Sequence, residues 1–144
     1  MGIDTPVSGR CVTASSWRSA IPVTLNHLII VSRDREASAR FYREILEAHE
    51  APSWGPFTNI LLDGDVLLQF AEPPVEPQFQ HLAFLVDDDV FDRILDRLRQ
   101  RDMAFWADPH FQLPGEINHE HGGRGVYFRD PSGHGLEVIT RPYV

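Results

Sequence analysis

The chain has 144 residues, a formal net charge of −8 and 42% hydrophobic residues. That length gives one domain with a proper core, and the acidity excludes a nucleic-acid partner, since no basic run can follow phosphates. A lone cysteine, Cys11, excludes an internal disulfide and fits a reducing, cytoplasmic setting, while no apolar run is long enough to span a bilayer.

Residues 1–23 are rich in Ser, Thr and small side chains, show no period, and lack the continuous apolar core of a signal peptide. They read as a flexible N-terminal extension before a single domain over 24–144. From Leu25 to Val31 the chain is apolar and β-branched at its end, which predicts a buried strand. Ser32 and Asp34 then offer helix caps ahead of Ala37, Phe41 and Ile45, which share one helical face. Extended stretches follow around His49, over Thr58 to Leu62 and over Val66 to Ala71, with Asp63-Gly64-Asp65 as a hairpin turn.

The second half repeats this order. His81 to Val86 reads as a strand, Asp87 to Asp89 as an acidic helix start, and Phe91, Ile94, Leu95 and Leu98 as a helical stripe. Phe105-Trp106, Gly125 to Phe128 and Leu136 to Thr140 complete a second βαβββ unit, with Asp130-Pro131-Ser132-Gly133 turning the chain between the last two strands. The predicted fold is therefore α+β, two tandem βαβββ modules (24–75 and 78–144) forming a cupped mixed sheet. Trp54, Phe57, Phe70, Phe84, Phe105 and Trp106 supply core or pocket walls, two roles the sequence does not separate.

The repeat places a histidine early in the first strand of each unit, His27 and His81, 54 residues apart. On the last strand Glu137 alternates away from Leu136 and Val138, so it shares a face with Ile139. A carboxylate on a covered face needs a partner, either an arginine such as Arg129 or Arg141 or a cation. Two imidazoles and one carboxylate are a standard ligand set for a divalent transition metal. If Gln69 and Glu137 occupy equivalent places, the second unit carries 14 additional residues, placed within Asp108 to Gly123. Pro109, Pro114, Gly115, Gly122 and Gly123 break regular structure there, and His110, Glu116, His119, Glu120 and His121 make it polar. Such a loop suits a lid or a substrate-contacting segment, with His119 and His121 as acid–base candidates against a solvated alternative.

These residues resemble the vicinal oxygen chelate superfamily, which includes glyoxalase I, extradiol dioxygenases, fosfomycin-resistance enzymes and bleomycin-resistance proteins. The resemblance covers Leu25 to Tyr143 and is most specific over Ala39-Arg40-Phe41-Tyr42-Arg43-Glu44-Ile45-Leu46 and over Tyr127-Phe128-Arg129-Asp130-Pro131-Ser132-Gly133-His134-Gly135-Leu136-Glu137. The family's usual glycine after the first helix is Glu47 here, which a left-handed helix end would strain. The resemblance implies a metal held by His27, His81 and Glu137, with Gln69 at a fourth ligand position. It implies Tyr127 as a catalytic or substrate-contacting group, Glu137 as a metal-site base, and Gln69, Tyr127 and His119 near substrate. It also implies a homodimer in which strand exchange sets His27 of one subunit beside His81 and Glu137 of the other.

The cofactor expected is one divalent ion, Fe, Mn, Ni, Zn or Co, and the partner a small molecule chelated through vicinal oxygens. Departures from the family prune the chemistry without choosing one reaction. Gln69 cannot ionise, and no glutathione contacts are identifiable. The threonine that follows the first histidine ligand by two residues in fosfomycin-resistance enzymes is Ile29 here, and basic groups for a phosphonate are scarce. Extradiol dioxygenases use a further histidine, which would have to come from the 108–123 loop. The expected function is a metal-dependent enzyme of glyoxalase or dioxygenase type, an isomerase or lyase or a ring-cleaving dioxygenase. The alternative is a metal-free protein that sequesters a small molecule, as the bleomycin-resistance branch does.

Overall fold

A computed structural model describes residues 23–144; the extension expected before them lies outside the described residues, except for Val23. The first unit consists of β1 (His27–Val31), α1 (Arg35–Leu46), β2 (His49–Glu50), β3 (Phe57–Leu62) and β4 (Val66–Ala71). The second consists of β5 (His81–Leu85), α2 (Asp88–Gln100), β6 (Phe105–Trp106), β7 (Gly125–Arg129) and β8 (Gly135–Ile139). Each makes a four-stranded mixed sheet, in the orders β1-β4-β3-β2 and β5-β8-β7-β6. The class is α+β, as the alternation of apolar residues predicts.

The register shows how closely the units correspond. β1 runs parallel to β4 with Ile29 opposite Gln69, and β5 runs parallel to β8 with Ala83 opposite Glu137. Gln69 and Glu137 thus occupy the same place, each opposite the residue two after its histidine. Most of the additional residues fall between β6 and β7, where the chain spans 107–124 against only 51–56 in the first unit.

Side-chain alternation divides each sheet. Ile30, Ile60, Leu68 and Phe70 of the first, and Val126, Phe128, Leu136 and Val138 of the second, enter one core with the helices. Phe91, Ile94, Leu95 and Leu98 of α2 are all buried, as the stripe predicts, each contributing roughly 1.5–3 kcal/mol by leaving water. In α1 the core face is one position round from the expected one. Ser38, Ala39, Tyr42 and Ile45 are buried while Ala37 and Phe41 are only half-buried, because the Tyr42 ring packs on Phe70 and its hydroxyl must reach Asp130. Asp34 supplies the helix cap, accepting from the Ala37 N–H, and Ser32 is instead buried outside the helix.

Two devices join the units. The Asp130 carboxylate accepts the Tyr42 hydroxyl (2.9 Å) and the backbone N–H groups of Ser132 and His134 (each 2.9 Å). His134, 1% exposed, donates from Nε2 to the Val31 carbonyl (2.7 Å) and accepts the Gln80 N–H at Nδ1 (3.1 Å), which assigns its neutral tautomer. At the other end, Glu47 adopts the left-handed conformation (φ 61°) that the missing glycine foretells. Its carboxylate accepts from Arg93 (2.7 and 2.9 Å) and Arg97 (2.5 Å) of α2, and those guanidinium hydrogen bonds lower its pKa to about 2.

Candidate metal centre

The sheet faces turned away from the helices carry the polar residues. On the second sheet His81 and Ala83 from β5, Gly135 and Glu137 from β8, and Tyr127 from β7 share one face, with Tyr127 directly opposite Glu137. Leu136 and Val138 point into the core at 0% exposure, so alternation forces Glu137 onto the opposite face.

Glu137 is 2% exposed, yet no arginine or lysine pairs with it among the described residues. Of the cations weighed from sequence, Arg141 turns to the Thr140 carbonyl and Asp88, and Arg129 lies over the Phe111 ring. Glu137 Oε2 faces His81 Nε2 at 3.1 Å, and Oε1 accepts the hydroxyls of Tyr127 (2.7 Å) and Tyr143. A covered carboxyl group held by two phenols and an imidazole has no arginine or lysine beside it, an arrangement that a bound cation would suit. Burial, and then the hydrogen bond to Glu137, push the Tyr127 phenol well above its ordinary pKa, so it remains a donor at neutral pH. The same carboxylate is the main cause that raises Tyr143.

The equivalent face of the first sheet is differently dressed. His27 is exposed and its Nδ1 meets the adjoining Asn26 amide oxygen at 2.9 Å. Gln69, 6% exposed, donates to Asn59, which stands opposite it on β3 just as Tyr127 stands opposite Glu137. Asn59 in turn donates to the Pro52 carbonyl, so the first unit's amides bind each other rather than an open position. Among the described residues, no three His, Cys, Asp or Glu side chains of one chain come together to hold a metal. His81 and Glu137 are joined, and His27 stands on the other sheet. Both faces are open and apolar at Ile29 (45% exposed) and Leu85 (60% exposed). A cavity of about 250 Å³, lined by Leu46, Leu62, Phe84 and Val86 among others, sits at the junction of the units and includes none of the three residues.

A model of the Glyoxalase/Bleomycin resistance protein/Dioxygenase superfamily matches residues 24–138. The chain belongs to this superfamily. It is similar to the glutathione transferase FosA of Serratia marcescens, 30% identical over 122 residues, with 80% of this chain and 79% of the relative covered. The metallothiol transferase FosB of Lysinibacillus sphaericus (strain C3-41) is 25% identical over 122 residues, covering 81% of this chain and 82% of the relative. Among solved structures, oxidase ChaP-H1 superposes with a TM-score of 0.82 at 49% identity, covering 85% of this chain and 98% of that one. Oxidase ChaP-H2 superposes equally well at 46% identity, covering 85% of this chain and 97% of its own. The chain is an enzyme of the superfamily, and no helix among the described residues is long and apolar enough to cross a membrane.

Within that superfamily frame the 107–124 loop is ordered from inside. Asp108 gathers three backbone N–H groups, and the Asn118 side chain donates to the Ala107 carbonyl. His119 is exposed, whereas His121 stacks on Tyr143 with ring centroids 4.2 Å apart. Tyr143 is the site residue that sequence reasoning missed. It lies past the last strand, where neither periodicity nor a motif marks it, and only the return of the C-terminal segment brings it to Glu137.

Proposed function

We propose that this chain is a metal-dependent oxidase that acts with dioxygen on a small substrate bearing vicinal oxygens. The ion would be held by His81 and Glu137 of one copy and His27 of a second, in a homodimer. The observation that carries the reading is Glu137 itself, a covered carboxylate without a basic partner, 3.1 Å from an imidazole. Support for oxygen chemistry comes from the 49% and 46% identity to two proteins named oxidases. The exposed apolar faces bearing His27 and His81 support a second copy, since neither sheet alone encloses a substrate. The setting expected is the cytoplasm.

The donor set of two neutral imidazoles and one carboxylate suits a divalent ion, which would supply Lewis acidity and, as Fe(II), a centre for dioxygen chemistry. Tyr127 and Tyr143 keep their protons and fix one Glu137 oxygen, leaving the other turned to His81. Tyr127 is therefore not a base, and its one hydroxyl hydrogen serves to position the Glu137 carboxylate. Gln69 keeps its amide oxygen free of the Asn59 contact and would orient substrate from the facing sheet.

Transferase chemistry of the FosA kind is the second reading, favoured by the 30% likeness. It calls for cations to meet a phosphonate; Arg124 and Arg141 are both engaged by Asp88, which leaves Arg129, over the Phe111 ring, as the one arginine on the Glu137 face among the described residues. The test is elemental mass spectrometry of anaerobically handled protein, followed by oxygen-electrode assays with catechols. About one iron per subunit and substrate-dependent oxygen uptake are expected. Zinc, nickel or manganese without oxygen uptake would favour isomerase, lyase or transferase chemistry. Failure to bind any metal on titration would leave the sequestering alternative.

A further inference from the structure

Tyr143 reaches Glu137 from beyond the last strand, and the segment that carries it is fastened along the end of the 107–124 loop. After β8 the Thr140 N–H donates to the Arg124 carbonyl (3.0 Å), and the Thr140 hydroxyl accepts the Arg124 N–H (2.9 Å). Arg141 runs close past Gly123, where a Cβ would meet its Cγ at 2.7 Å, and its guanidinium reaches Asp88 at 3.3 Å. A side chain at 123 would push this segment off the loop. Pro142 then fixes its own φ at about −65° and biases Arg141 towards extended backbone, so little chain entropy is lost in aiming the next residue.

Tyr143 is seated at both ends of its side chain. Its hydroxyl donates to Glu137 Oε1, and its ring stacks on His121 with centroids 4.2 Å apart and planes 27° from parallel. His121 has φ 53° and Gly122 φ 70°, so the loop holds a non-glycine residue in a left-handed conformation to present that imidazole. Past Tyr143 the chain has no such seat, since Val144 is fully exposed. On the other side of the contact, Oε1 also accepts the Tyr127 hydroxyl at 2.7 Å, while Oε2 faces His81. A carboxylate oxygen offers two lone-pair sites, and the two phenols fill them both. Tyr127 alone would leave Oε1 half engaged and able to turn towards a cation together with Oε2.

We infer that residues 140–144 form a strap in which Tyr143, seated by His121, is a positioning residue that holds Glu137 for ligation through one oxygen. The strap ties the 107–124 loop to the metal carboxylate, and by reciprocity a bound ion holds the strap down. The inference rests on the proposed metal centre for the ion, whereas the seating of Tyr143 on His121 needs no metal.

Cobalt(II) titration of the metal-free full chain reads the effect of the strap on the site. Tyr143→Phe keeps the ring and loses the donor, and should bind cobalt about tenfold more weakly, as when a ligand loses its hydrogen-bond partner. His121→Ala should weaken binding about threefold, the scale of one ring stack, and His121→Phe should restore it. In a Tyr143→Ala chain the His121→Ala change should cost nothing further, because the stack is already gone. Urea midpoints of the metal-free variants should match the parent, since neither side chain enters the core.

Digestion with a serine carboxypeptidase, followed by mass spectrometry, reads the effect of the ion on the strap. Val144 should leave equally fast with and without cobalt, while Tyr143 should leave about tenfold more slowly from the loaded protein. His121→Ala should hasten the release of Tyr143 about threefold even without metal. Undiminished cobalt affinity in Tyr143→Phe, additive losses in the double variant, or release of Tyr143 indifferent to both cobalt and His121 would each overturn the inference. A parent chain that takes up no cobalt, yet releases Tyr143 faster once His121 is replaced, would sink the metal reading and leave the strap standing.

Discussion

The two units share a backbone plan and a histidine, yet their outward faces serve different ends. At equivalent positions the first sheet has Gln69 and Asn59, the second Glu137 and Tyr127. The amide pair of the first satisfies itself and a neighbouring carbonyl, whereas the second gathers donors around one charged group. Duplication supplied the scaffold twice, and one carboxylate makes the copies chemically unequal. The connections differ too: six residues between β2 and β3 make a plain link, while the longer 107–124 segment carries Phe111 and His121 towards the second sheet's face.

The sharpest way to break this comparison is to substitute both equivalents. Glu137→Ala should lose bound metal and about 100-fold or more of the activity with the fold retained, while Gln69→Ala should keep the metal. Elemental analysis beside circular dichroism reads this, and full metal content in the Glu137 variant would void the ligand assignment. His27→Ala and His81→Ala should each be inactive alone. If one subunit's His27 serves the other's His81, mixing and refolding the two variants should restore about a quarter of wild-type activity, because half the dimers are mixed and each has one intact site. No recovery would place both histidines' function within a single chain.

Smaller effects test what joins the units. His134→Ala should lower stability by about 2–4 kcal/mol in urea unfolding, since it leaves the Gln80 N–H and Val31 carbonyl unpaired beside a new cavity. A near-neutral result would mean that water replaces the imidazole. The smallest effect belongs to Glu47. Its folded pKa is depressed, so its contribution is complete above the ordinary value of 4.5 and is lost as pH falls towards about 2. Urea midpoints should therefore fall less between pH 5 and pH 3 for Glu47→Gln than for the parent protein. The gap should be modest, because the paired side chains are partly exposed and screened.

Much of this molecule was legible in its residues. The helices announce themselves by Asp caps and apolar stripes, and the doubled histidine-bearing strand discloses the repeat. The equivalence of Gln69 and Glu137, posed as a condition from the repeat, matches the ladder register. Periodicity served because it reflects burial of one face, which is a local property. It erred by one position in α1, where a distant residue, Asp130, draws Tyr42 inward. His134 belongs to the family-like Asp130–Glu137 stretch, yet whether such a histidine binds a metal or braces two units depends on what lies opposite, and here Val31 and Gln80 do.

The sequence by itself determined the element order, the duplicated plan and the facing of Glu137, since alternation and capping act between neighbours in the chain. Only the tertiary structure decided that His81 alone of the two histidines meets Glu137, that Tyr143 returns to it, and that Phe79 and Phe111 lie on Gly135. Those contacts join residues from different strands and loops. They are fixed by how the chain closes on itself, which no local pattern records.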